Sequence, residues 1–416
     1  MTPRLAQAVA FQRQPVASLI AHERVHGSGF WLPTLIGGRM WVVAAPQLAH
    51  EVLHAPPGEY LAGRANRRIL PVLPSDTVLT LDGDPHQTRR RLLAPLFHGD
   101  SLDSLAPIIR QIAADEIARW PIGVSFAALP RTRLMTLRIA ARLLLGIQRP
   151  RLVDDLQRHL SQALRPYAML SAVQWLRRLG PASPQAAARR SRVRFATGVA
   201  EVRSARARRP ADGPIDALDL LGPISGQSDD DTRVADELFA LLLAAHETTA
   251  TALAWSLELL AHDPDTLSLL GGEADSEDRP HLDAVIAEIL RVRPPLVDIV
   301  RELAAPARLG DHALAAGTLI LIPPPLIHRH RHAWPDTFVA NRFLGQHPDP
   351  DAWLPFGGGE RRCLGASLAL LELREVITLV AQRFELQPAD SVREDARLHG
   401  TALVPGRGAR VIIRPR

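Results

Sequence analysis

The 416-residue sequence contains no lysine; all 49 basic residues are arginine, set against 44 acidic ones for a net charge of +5. A Walker-type phosphate loop and a Schiff-base enzyme each require a lysine, so both are excluded. The arginines are spread among Asp and Glu instead of gathered on one tail or module, so no nucleic-acid partner is expected. Cys363 is the single cysteine, which excludes an internal disulfide and any cysteine-only metal site, and the expected location is cytoplasmic. Long apolar runs are missing too. The longest, Leu238 to Ala245, is far short of the ~20 residues that span a bilayer. The opening MTPRLAQAVAFQRQPVASLIAHERVHG has polar residues every few positions, so neither a signal peptide nor a membrane anchor is expected.

What is present is the balance of a globular chain, 46% hydrophobic and 22% charged, with aromatics at only 5%. A strand-like stretch, Met40 to Val43, precedes a helical pattern, and 75–84 reads as an irregular loop. Helical spacing of Leu, Ile and Ala then recurs over about 101–120, 131–146, 152–165 and 186–207. Segments 165–185 and 208–230, rich in Pro, Gly, Ser and Asp, read as loops or lids. Thr232 to about Ala261 forms an unusually long helical pattern behind the acidic cluster Asp229 to Asp231, which suits a helix N-terminus. A further helix covers 280–292 and stops before Pro294 and Pro295. Short strands are expected at 297–303, 317–322, 400–404 and 409–413. The sum is one mainly α domain with small β-sheets (α+β), with residues 1–29 as an N-terminal extension.

The strongest local signal is Phe356-Gly357-Gly358-Gly359-Glu360-Arg361-Arg362-Cys363-Leu364-Gly365-Ala366, which leads into an apolar helix. Glycine backbone lets a flat ligand come close. A cysteine where a helix begins faces free amide N–H groups, which favour thiolate over thiol. A thiolate of this kind suits an iron porphyrin as its electron-rich axial ligand. Read without its flanks, a lone cysteine is a small buried hydrophobe.

With its flanks, this stretch resembles the haem-binding loop of the cytochrome P450 family, Phe-x-x-Gly-x-Arg-x-Cys-x-Gly. Phe356, Gly359, Arg361, Cys363 and Gly365 all match. The resemblance implies that Cys363 ligates the iron of haem b, that Phe356, Gly357, Gly359 and Gly365 flank it, and that Arg361 binds a propionate. Ala244-Ala245-His246-Glu247-Thr248-Thr249 interrupts the long helix with small residues, an acid and a hydroxyl. Small residues a turn from a threonine make room for a ligand, and an acid beside an alcohol suits proton transfer. The stretch is similar to the family's oxygen-activation motif, which makes Thr248 and Glu247 proton-relay candidates. Ala245 stands where the family usually has glycine, which puts substrate size in doubt. His246 is expected to be structural.

By the same resemblance His86, Arg90 and Arg301 reach the propionates, and Glu288, Arg291 and Arg342 form a structural triad. Leu296, Val297, Ile299, Val300 and Thr401 line the substrate pocket, together with the 70–82 loop, the 165–185 lid, Leu398, and Ala244 to Thr248. The run His328 to His332 reads as a solvated loop, since its interleaved arginines oppose metal binding. The implied fold is the family's single triangular domain enclosing haem, and the implied reaction is O2 + 2 e⁻ + 2 H⁺ + RH → ROH + H2O. No flavin or iron-sulfur motif occurs. Electrons are therefore expected from NAD(P)H through a ferredoxin reductase and a ferredoxin docking near Arg89, Arg91, Arg362 and Arg374. The expected substrate is a small apolar or amphipathic molecule, and the chain is expected to act as a monomer. A peroxide-using enzyme of the same fold and a non-catalytic haem-binding protein stay open.

Overall fold

Ala8, Phe11, Pro15 and Leu19 recur three and four residues apart, and this spacing forms the buried face of two consecutive helices, α1 (Pro3–Arg13) and α2 (Pro15–His26). A computed structural model describes residues 3–34, 38–70, 72–146, 158, 184–206, 217–221, 230–276, 278–329 and 337–416. The expected N-terminal extension is built into the fold, because Phe11 and Leu19 pack with Phe30, Leu32, Met40 and Val42. The chain continues through β1 (Gly29–Pro33), β2 (Arg39–Val43), α3 (Pro46–His54), β3 (Tyr60–Leu61), α4 (Ala62–Ile69), α5 (Gly83–Leu93), α6 (Asp100–Ile117), β4 (Phe126–Ala127) and α7 (Ala128–Leu145). Next come α8 (Pro184–Arg206), α9 (Ala217–Leu221), the long α10 (Asp230–Ala261), α11 (Pro264–Gly272) and α12 (Pro280–Val292). The remainder holds β5 (Ile299–Leu303), β6 (Ala307–Leu309), β7 (His312–Leu314), β8 (Leu319–Ile322), α13 (Pro324–Ile327), α14 (Ala366–Arg383), β9 (Phe384–Pro388), β10 (Ala396–His399), β11 (Ala402–Pro405) and β12 (Arg410–Pro415).

The main sheet has strand order β1-β2-β8-β5-β3, antiparallel except for the β2–β8 pair. A second sheet runs β4-β12-β9, and β10–β11 and β6–β7 are separate hairpins. Helix α10, at 1.5 Å per residue, is about 48 Å long and crosses the molecule. It alone among the described helices is long and apolar enough to cross a membrane, and 72% of its apolar window is buried inside the protein, as befits a core helix. The helical expectation for 152–165 and the lid expected over 165–185 lie outside the described residues apart from Arg158 and the start of α8.

Candidate functional site

Positive φ angles at Gly357 (+67°) and Gly359 (+62°) fold the Phe356–Gly365 stretch into a tight loop ahead of α14. A Cβ on Gly359 would stand 1.8 Å from the carbonyl oxygen of Leu53, so only glycine lets the loop rest on the end of α3. The Cys363 amide donates to Phe356 O (2.8 Å), which fixes the sulfur at the loop's edge three residues ahead of Ala366. Cys363 is encased by protein, yet its side chain is accessible, so it faces an interior space. Burial pushes its thiol up, while the Gly365 N–H and the charges of Arg90 and Arg362 act the other way. The amide environment expected to favour thiolate is present, but burial outweighs it. Deprotonation of such a thiol falls to a bound metal ion.

Beside the loop, basic groups converge from three segments. His86 (2% exposed) and Arg90 come from α5, Arg301 (7% exposed) from β5, and Arg361 from the loop. His86 Nδ1 lies 3.3 Å from Glu360 Oε1, and burial with the charge of Arg361 pulls its pKa down to about 4. Burial and the neighbouring Arg361 lower Arg301 to about 10. Burial also lowers Arg361 and Arg90, although Asp82 accepts from Arg361 at 2.9 Å. Desolvated cations that repel one another form a receptor for anionic groups.

Across the core, the middle of α10 breaks its burial pattern. Ala244 is exposed and Thr248 half-buried within a helix whose Leu242, Ala250 and Leu253 are sealed. Ala245 borders the same core cluster as Phe356 and Leu364, which places this face and the cysteine loop around one core. Thr248 Oγ1 donates to Ala244 O (2.9 Å), a back-bond that competes with the helical ladder. Helix α7 holds the segment from outside, with Thr132 and Thr136 donating to Ala250 O (2.9 Å) and His246 O (3.1 Å). Glu247 turns to α7, where it accepts from Arg133 in a fork, and His399 lies 3.7 Å away. Burial alone would raise its pKa, but the nearby His399 imidazole, the hydrogen bonds from Arg133 and the Arg133 charge bring it down to about 2. His246 is buried, as expected of a structural residue.

The expected triad is assembled. Arg291 grips Glu288 through Nε–Oε2 (2.7 Å) and Nη2–Oε1 (2.9 Å), and Arg342 Nε reaches both Glu288 oxygens at 3.1 Å. Val339 N–H also donates to Glu288 (2.9 Å). His328 corrects the reading of a solvated loop, for it is fully buried. Its Nδ1 bonds Arg291 O (2.9 Å) and its Nε2 accepts from Leu354 N–H (2.7 Å), while burial lowers its pKa to about 3. His330 and His332 lie outside the described residues.

Among the expected substrate contacts, Leu296, Ile299 and Thr401 keep accessible surface, and Val297 donates to Thr401 O (3.1 Å). Val297 (2% exposed) and Val300 (4%) are instead sealed in the core with Leu403 and Leu319, so they do not face the space. Leu398 lines a separate cavity of about 1160 Å³ between α1, α2 and the β10–β11 hairpin. Sequence reasoning passed over Asp298, whose carboxyl burial raises to about 7 although its side chain keeps some accessible surface. The signal was a lone acid in an aliphatic run. Of the expected docking arginines, Arg89 is tied to the buried Glu237 and to Asp76, and Arg374 is paired with Asp283 (2.6 and 2.9 Å). Arg91 and Arg362 are exposed.

A family model described as Cytochrome P450 matches residues 12–411. The chain is 33% identical over 436 residues to the putative cytochrome P450 135B1 of Mycobacterium bovis, covering 99% of this chain and 90% of that one. It is 34% identical over 424 residues to the putative cytochrome P450 138 of Mycobacterium tuberculosis, covering 100% and 95%. In fold it is similar to a retinoic acid-bound cyanobacterial CYP120A1, with a TM-score of 0.82, 22% identity, and 95% and 94% coverage.

Proposed function

The chain belongs to the cytochrome P450 family, and from that membership we propose how its own residues serve a haem monooxygenase. Haem b is the family's cofactor, and bound here it supplies the iron that activates O2. The observation that carries the assignment is Cys363, an encased sulfur facing an interior space from a loop that only glycines permit. Cys363 would hold the iron. Phe356, Gly357, Gly359 and Gly365 would flank the ring, and His86, Arg90, Arg301 and Arg361 would take the propionates.

Thr248 holds a proton donor at the open face of α10, where Ala244 leaves room and the Ala245 methyl narrows it. Glu247 is the acid that replenishes that proton. Since Arg133 keeps it ionised and turned away, it must exchange Arg133 for water before it can act. Electrons come from a ferredoxin reduced at the expense of NAD(P)H, docking on Arg91 and Arg362, because Arg89 and Arg374 are already paired. The substrate is a small amphipathic molecule held by Leu296, Ile299 and Thr401, with a polar group toward Asp298. The protein works as a cytoplasmic monomer.

The test is the reduced, carbon monoxide difference spectrum of the purified protein beside Cys363→Ser. We expect the strongly red-shifted band of thiolate-bound haem in the first and its loss in the second. A histidine-like spectrum indifferent to the substitution would overturn the assignment. Product formation with ferredoxin and reductase, and none without them, separates this reading from a peroxide-driven enzyme and from a carrier.

A further inference from the structure

Beside the bed beneath Gly359, α3 ends in two histidines one turn apart, His50 and His54, with rings stacked at 4.2 Å between centroids. Asp351, from the segment that leads into the cysteine loop, meets them, with Oδ1 2.7 Å from His50 Nδ1. One donor atom from each of the three residues lies within 4.8 Å of the others, and among the described residues this is the one cluster of three such groups. We propose that His50, His54 and Asp351 form a zinc site that staples α3 to the segment preceding Cys363.

The donor set points to the metal. Two imidazoles and one carboxylate, leaving a fourth position for water, suit Zn²⁺, whereas Ca²⁺ and Mg²⁺ prefer oxygen-only shells. The i, i+4 spacing puts both rings on one helix face, and the carboxylate arrives from a different element, so a bound ion joins two parts of the chain. The distances are near what is required. Tetrahedral zinc with ligands at ~2.0–2.1 Å separates them by about 3.3 Å, so the widest gap must close by roughly 1.5 Å. Both histidines are exposed, and closing the gap exchanges two existing contacts, His50 Nδ1 with Asp351 (2.7 Å) and His54 Nδ1 with His50 O (3.1 Å), for bonds to the metal, or keeps the latter and offers His54 Nε2.

The location gives the site a consequence. Leu53 supplies the carbonyl on which Gly359 rests, and His54 Cε1 is 3.6 Å from where a Cβ on Gly358 would stand. Fixing the end of α3 against residue 351 therefore stiffens the support of the cysteine loop.

The experiment uses tag-free, full-length holoprotein freed of adventitious metal and titrated with ZnCl2 by calorimetry, alongside His54→Ala and Asp351→Asn. The proposal expects one saturable equivalent per chain in the parent. Each variant should bind more weakly by more than the roughly 10–100-fold that loss of an outer partner causes. Zinc should raise the thermal midpoint of the parent and leave that of His54→Ala unmoved. Undiminished binding in both variants, no saturable equivalent in the parent, or a midpoint that zinc fails to raise each overturns it. Asp351→Asn is an isosteric surface change, so it keeps the test decisive should His54→Ala fold poorly. The titration does not depend on the haem assignment, which can fail independently.

Discussion

At the scale of single residues, two carboxylates near the site are driven in opposite directions by their surroundings. Burial raises Asp298 from 3.8 to about 7, with only its own backbone N–H in opposition. The native state therefore holds a proton that the unfolded chain releases above pH ~4. Stability from this group falls as pH rises from ~4 to ~7 and is level above that, a cost of at most about 4 kcal/mol and less where water reaches the carboxyl. Asp298→Asn should remove this slope and leave the variant more stable than the parent at pH 8. Urea unfolding at pH 5 and pH 8 measures it, and equal parent–variant differences at both would show that Asp298 is not protonated in the fold. Glu247 is the reverse case, held down to about 2 by partners that outweigh its burial. Replacing Arg133 with Met takes away its forked partner, and burial should then lift Glu247 toward neutral pH. The kcat profile of this variant should then show a titration toward neutral pH that the parent lacks.

Elements were legible where a single stretch of chain determines them. The α10 pattern expected from Thr232 begins at Asp230 in the structure, and α12 occupies the expected 280–292, because both carry strong 3.6-residue periodicity. Elements set by distant partners were not. Strand β9, paired with β12, was not anticipated, the strand expected at 400–404 starts only after a turn at Gly400 (φ +64°) and runs Ala402–Pro405, and short α9 falls in an expected loop. His328 was hidden for the same reason. Its partners, Arg291 O and Leu354 N–H, are 37 and 26 residues away, and together they fix the neutral tautomer with the proton on Nδ1. The glycine loop, by contrast, was readable because its constraint is local in kind even though Leu53 is remote. Gly359→Ala combines a contact of 1.8 Å with a left-handed φ and should destabilise by roughly 3 kcal/mol or more, with loss of haem. Gly358→Ala meets Leu53 Cδ1 at 3.3 Å and should be tolerated. Equal haem content in the two variants would remove α3 as the bed of the loop.

For the whole molecule, the triad at Glu288 ties α12 to the 337–342 segment and, through His328, to Leu354 at the start of the cysteine loop. Sequence spacing alone describes Glu288 and Arg291 as a surface pair contributing about 0.3–0.5 kcal/mol. In the fold both are fully buried, and Glu288 accepts from Arg291, Arg342 and the Val339 amide. Burial changes the arithmetic. Removing one member of a desolvated pair leaves an uncompensated charge at a cost of about 3–5 kcal/mol, whereas replacing both by apolar side chains costs far less. Glu288→Gln and Arg291→Met should each destabilise by that order and release haem, although the structure sets neither beside the sulfur. The double variant should be clearly less damaged than the sum of the two, since it removes the stranded charge. Denaturant unfolding of the four proteins closes the cycle. Additive losses, or a Glu288→Gln cost under about 1 kcal/mol, would show that the cysteine loop stands without this frame and that the pair is only an incidental contact within it.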